Sequence, residues 1–407
     1  MKAGDWPGTK GLYLLCAEQT NPWNVDTYDE NLKFVEYEDK KFRATVPGSY
    51  VTGNDWKFRF RVKENEWYNV GPNDNSEYTF GSYYSANWKN STGYFVVSKN
   101  EDAKYIQVFC DWKSDHFDVS AVVVTEQTEY NIAFMNDLGW AENAKVYGWF
   151  DNLGLTTSWP GAAMTNTNGI YTATINGLPG SKIKFSNNGV NAIGEFDLVQ
   201  NAVYKTDGKV GDQSVSIGTT GYATFSSDYP LYFPEGDDAT VKAYKASVDG
   251  NRIKLTRVTG GVPAKTGLFV AGTTTNVSPY ATVSSVENNL MLPGEGTTVQ
   301  SDATYDYYVL AKKAGGDICF SKLSESTGAN VGVGKAYLRV SHGTFSSSAP
   351  SLSIFFDDAA GGTTAIDAVK SAEPAVTDGA YYNLAGQRVT NPTKGLYIVN
   401  GRKVVVK

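Results

Sequence analysis

Histidine and cysteine are nearly absent from this chain: 407 residues carry two His and three Cys. His116 and His342 lie far apart, and neither stands among cysteines or acids at ligand spacing. That excludes the usual patterns for a zinc site or a Ser-His-Asp triad. No glycine-rich phosphate loop opens a helix. Cys16, Cys110 and Cys319 are an odd number without metal-type spacing. Cys16 in "LYLLC" and Cys110 in "YIQVFCDW" read as buried thiols, with a single bridge as the alternative. Apolar runs are also short. None approaches the roughly 20 residues that a membrane-spanning helix needs, and "MKAGDWPGTK" lacks the apolar core of a signal peptide. Basic residues (36) are outnumbered by acidic ones (43), for a net charge of −7 and a pI near 5.1. Partners that need a basic face, nucleic acid and anionic membrane, are therefore not expected.

Tyrosine is abundant instead, with 26 copies, and the dominant pattern is alternation of period 2. "WKFRFRV" sets Trp56, Phe58, Phe60 and Val62 against Lys57, Arg59 and Arg61; "SKIKFS" and "KAYLRVS" behave alike. Helical periodicity is confined to a short piece at "TAIDAVKSA". Many short strands punctuated by Gly, Asn, Asp and Pro predict an all-β chain of tandem, immunoglobulin-like β-sandwich modules with a small C-terminal β unit.

All nine tryptophans fall between Trp6 and Trp159. This aromatic front reads as two modules of like order: a strand, a Trp-bearing loop, a strand ending in Pro-Gly, and a strand of basic/apolar alternation. The expected divisions are residues 1–127, 128–210, 211–360 and 361–407. The third is a sandwich of unassigned role. The fourth holds an Ala/Gly/Thr-rich linker and a compact β unit, where Asn400-Gly401 signals a type I′ hairpin.

"VYGWFDNLGLTTSWPG" (146–161) raises the functional question. On a strand, Val146, Gly148 and Phe150 face one way and Tyr147 and Trp149 the other. Residues two apart on a strand are roughly 6.6–7 Å apart, which suits two rings on adjacent sugars. Trp159 follows on a loop stiffened by Pro160. A pyranose offers an apolar C–H face for stacking and a rim of hydroxyls for amides, carboxylates and cations. Packing of the same rings as core is the competing reading. Paired carboxylates of a glycosidase are not excluded by sequence, but small sandwiches leave little room for a deep cleft. No catalytic residues, metal ligands or cofactors are expected. Calcium in Asp/Asn-rich loops such as "PNDNSEY" is without support.

Residues 129–205 resemble the starch-binding modules of carbohydrate-binding family 26, on "YNIAFMNDLGWAENAKVYGWFDN", "WPGAAMT", "GIYTATI" and "KIKFSNNG". The resemblance implies an α-1,4-glucan platform at Tyr147, Trp149 and Trp159, with Trp149 standing where Tyr is usual. Asn187 and Asn188 are suited equally to binding a hydroxyl and to closing a turn. "WKFRFRVKENEWYNVGPND" is similar to outer-membrane starch-binding lipoproteins of Bacteroidetes. It implies a second site with Trp23, Trp67 and Trp88 as stacking candidates and Lys57 or Arg59 as hydroxyl donors. The tail "YNLAGQRV…KGLYIVNGRKVVVK" resembles type IX secretion sorting domains, which implies a secreted or surface-held protein. The expectation is a monomeric, non-catalytic binder of starch and maltooligosaccharides at the outer cell surface. The alternatives are the non-catalytic part of a larger amylase or pullulanase, and an adhesin for other glycans.

Overall fold

The computed structural model describes residues 11–16, 29–62, 69–72, 76–80, 84–87, 92–99, 101–114, 116–140, 144–346, 350–357, 381–382, 388–390, 392–399 and 402–406. They fall into two compact units, residues 1–355 and 356–407. The architecture is all-β, as expected. The helical pieces among the described residues are the 3₁₀ turns Glu30–Leu32 and Gly48–Tyr50.

The first sandwich uses β1 (Leu12–Cys16), β2 (Val35–Glu38), β3 (Lys41–Pro47), β4 (Asp55–Val62), β5 (Asn69–Val70), β6 (Glu77–Thr79), β7 (Tyr84–Asn87), β8 (Tyr94–Ser98), β9 (Tyr105–Trp112) and β10 (His116–Val124). One sheet runs β1-β4-β8-β6 with β5 beside β4, and the other β2-β3-β9-β10-β7. Alternation along β4 explains the join. Trp56, Phe58 and Phe60 are fully buried, and Phe60 meets Phe95 of its own sheet at 6.2 Å and Phe117 of the facing sheet at 5.5 Å.

The second sandwich uses β11 (Thr128–Met135), β12 (Ala144–Phe150), β13 (Leu153–Gly154), β14 (Ala162–Ala163), β15 (Thr165–Thr167), β16 (Ile170–Gly177), β17 (Lys182–Asn187), β18 (Val190–Asp197), β19 (Val203–Lys205) and β20 (Gly208–Lys209). Its sheets run β15-β16-β11-β19-β20 and β13-β12-β17-β18, with β14 also on β12. Phe134 of β11 and Phe185 of β17 stack across the gap, centroids 4.6 Å apart and 17° from parallel.

The two sandwiches are fastened together. Tyr105, Phe150 and Leu178 are buried as one cluster, with Val124, Leu153 and Leu155 packed on it. Beside it, Arg43 of β3 grips the Asp151 carboxylate with both arms, at 2.7 and 2.8 Å. The guanidinium also lies 4.2 Å over the Phe150 ring.

Residues 213–357 build a nine-stranded sheet with Tyr222–Phe225 at one edge and Met291–Pro293 at the other. It curls on itself, so that Ser226 N donates to Gly334 O at 3.2 Å. In the unit 356–407, strands Gly395–Val399 and Arg402–Val406 pair with Val399 opposite Arg402. The Asn400-Gly401 turn between them and the helical candidate "TAIDAVKSA" lie outside the described residues. Cys16, Cys110 and Cys319 are buried thiols, and Cys16 Sγ stands 3.8 Å from the Tyr50 hydroxyl.

Candidate functional site

The site grows from β12. Its residues alternate buried and half-buried, with Ala144, Val146, Gly148 and Phe150 inward and Lys145, Tyr147 and Trp149 outward. Val146 and Phe150 belong to the interior at 0 % and 3 % exposure. The core reading is thereby separated from the surface reading within one strand. Tyr147 and Trp149 stack side by side, ring centroids 5.8 Å apart and planes 22° from parallel. Trp159 meets Tyr147 at 6.0 Å, nearly perpendicular, and is 45 % exposed. Tyr147 thus links the two tryptophans in one row of contacts.

Local structure explains why Trp159 arrives there. On one edge β12 pairs with β17; on the other it pairs with β13 and, further back, with β14. The loop carrying Trp159 spans the gap between those two short strands. The Trp159–Pro160 peptide is cis. Gly161 has φ +95°, and a Cβ there would sit 2.1 Å from the Val146 carbonyl oxygen. Only glycine lets the loop lie that close to the strand. Gly189 backs the same loop: its missing Cβ would stand 3.3 Å from Pro160 Cβ and 3.6 Å from Trp159 Nε1.

Polar groups flank the row. Lys184 of β17 is directly opposite Tyr147 in the ladder. Its Nζ stands 5.2 Å from the Trp149 ring and 5.9 Å from the Trp159 ring, in cation–π range. Glu195 of β18 holds that ammonium at 3.5 Å. In front of Tyr147 and Trp149 opens a concavity of about 380 Å³, edged by Lys184 and Glu195, by the hairpin tip Asp151-Asn152, and by Glu30 and Asn31 of the first sandwich. Flat aromatic faces with a carboxylate, an ammonium and amides at their edges can take an apolar ring face and hydrogen-bond its hydroxyls.

The other residues singled out in the sequence fall elsewhere. Asn187 ends β17 opposite Val190, and Asn188 (φ +49°) with Gly189 (φ +91°) closes that hairpin behind Trp159. Neither edges the concavity. Lys57 is exposed on β4 and paired with Glu77. Arg59 on the same strand is 7 % exposed, and burial lowers its pKa from the ordinary arginine value. Its guanidinium is thus enclosed rather than displayed for hydroxyls. Trp23, Trp67 and Trp88 lie outside the described residues. His342, isolated by sequence spacing, meets the buried Asp306 at 3.0 Å, and Lys322 Nζ reaches that carboxylate at 2.8 Å.

Sequence reasoning left Glu195 unassigned and missed Lys184, Asn152, Glu30 and Asn31. Lys184 had a signal, because "SKIKFS" alternates and places Lys182 and Lys184 on the face away from Ile183 and Phe185. Glu30 and Asn31 had none, since only the contact between sandwiches brings them to the rings.

The family model of starch-binding module 26 matches residues 132–196. That span contains all three rings together with Lys184 and Glu195. The matched family is one of starch-binding modules rather than of catalytic domains. No curated protein and no solved structure matches the chain.

Proposed function

We propose that this chain is a non-catalytic binder of α-1,4-glucans that works outside the bacterial cell, with the row Trp159–Tyr147–Trp149 as its stacking platform. The observation that carries the reading is the pair of near-parallel, outward rings of Tyr147 and Trp149, at the mouth of a concavity inside the stretch that matches a starch-binding module. The glucan lays the C–H faces of successive sugars on the rings, and Lys184 and Glu195 bond hydroxyls at the edge. Such binding needs shape and desolvated aromatic surface, not tuned acids and bases. The tail's resemblance to sorting domains of secreted proteins supports the extracellular placement.

Calorimetric titration of the full chain with maltoheptaose, xylohexaose and cellohexaose tests it. Saturable heat with maltoheptaose and little with the two β-linked oligosaccharides is expected. Binding of xylohexaose or cellohexaose without maltoheptaose would overturn the assignment.

A further inference from the structure

We infer that the first sandwich completes the glucan site of the second, through Glu30 and Asn31. This rests on the α-glucan reading above and adds a hydroxyl-binding wall that lies outside the matched residues 132–196.

Tyr147 and Trp149 stand in succession on β12, and Trp159 adjoins Tyr147 from its loop. Beyond Trp149 comes the hairpin tip Asp151-Asn152. The Asp151 carboxylate is already occupied by Arg43, at 2.7 and 2.8 Å. Asn152 donates from Nδ2 to the backbone oxygen of Lys33 at 3.1 Å. Both tip side chains therefore tie the platform to the first sandwich. The surface next to Trp149 at that end is the 3₁₀ turn Glu30–Leu32, whose Glu30 and Asn31 edge the same concavity as the rings.

That wall is held in place before any ligand arrives. Tyr13 OH donates to Glu30 Oε1 at 2.7 Å, and Lys33 Nζ pairs with Oε2 at 3.3 Å. Asp29 Oδ1 caps the turn, accepting from both the backbone N and the Nδ2 of Asn31 at 2.9 Å. Leu32 is buried beneath. A carboxylate and an amide fixed in this way are the groups that bond sugar hydroxyls, and preorganisation lowers the ordering cost of binding. The ligand is a maltooligosaccharide that continues past the sugar stacked on Trp149, with the next unit's hydroxyls on Glu30 and Asn31.

The test is calorimetric titration of maltoheptaose into the full chain and three variants: Glu30→Gln with Asn31→Ala, Asn31→Arg, and Trp149→Ala. Glu30→Gln keeps an oxygen for Tyr13, and both positions are exposed, so thermal unfolding serves as the folding check. The paired variant is expected to bind maltoheptaose at least tenfold more weakly. Asn31→Arg, which fills the concavity from an exposed turn, is expected to do the same. Undiminished affinity in both, with affinity lost in Trp149→Ala, would overturn the inference and leave the platform standing. No binding of maltoheptaose by the unmodified chain would instead remove the reading on which the inference rests.

Discussion

At the scale of single residues, the site depends on which side chains show a face to solvent. Trp159 is the most open of the three rings, and its loop is shaped by glycines at 161 and 189 rather than by burial of the indole. Trp159→Ala should therefore lower affinity for maltoheptaose by tenfold or more, in the range of about 2 kcal/mol typical of a binding hot spot. The melting temperature should stay within a degree or two. Calorimetry and thermal unfolding on the same preparation check both parts. A variant that unfolds the second sandwich would make Trp159 a structural residue. Tyr147 and Trp149 are half-buried and lean on one another, so their truncation disturbs more contacts than that of Trp159.

At the scale of elements, the joint between the sandwiches places one strand's rings against another module's turn. Arg43 and Asp151 are its polar core, with side chains 20 % and 9 % exposed. Removing one partner of a buried pair strands the other charge, which costs about 3 kcal/mol or more. Arg43→Met should lower the urea midpoint accordingly, and adding Asp151→Asn should recover most of the loss. Strictly additive losses in the double variant would mean that the pair carries no coupling. This joint also marks how far sequence reading reaches. The inward set of β12 and the outward Tyr147 and Trp149 were legible, because period 2 fixes sides. So were the shared side of Trp56, Phe58 and Phe60 on β4 and the all-β class. The neighbour across the ladder was not: that Lys184 faces Tyr147 follows from the register of β12 on β17, which no local pattern specifies. Alternation also suggested that Arg59 faces solvent, whereas both faces of β4 are covered at that point and the guanidinium is enclosed.

At the scale of the whole molecule, the two sandwiches of the aromatic-rich front are joined through Arg43–Asp151 and Asn152–Lys33. The first sandwich lends a turn to the second, and Asp29, Glu30 and Asn31 of that turn end the sequence stretch "NPWNVDTYDEN", of which residues 21–28 lie outside the described residues. The second sandwich is fixed at its other side too, where Asn201 accepts from Ala281 N and Thr282 Oγ1, both at 2.8 Å. Rings, flanking charges and wall therefore belong to one compact unit. The central claim is that the outward rings of β12 are a glucan platform. Titration of maltoheptaose into Trp149→Ala beside the unmodified chain tests it most directly. Loss of most or all of the binding heat, in a variant that still unfolds in one cooperative transition, is the result this account predicts. Equal affinity in the two proteins would contradict it.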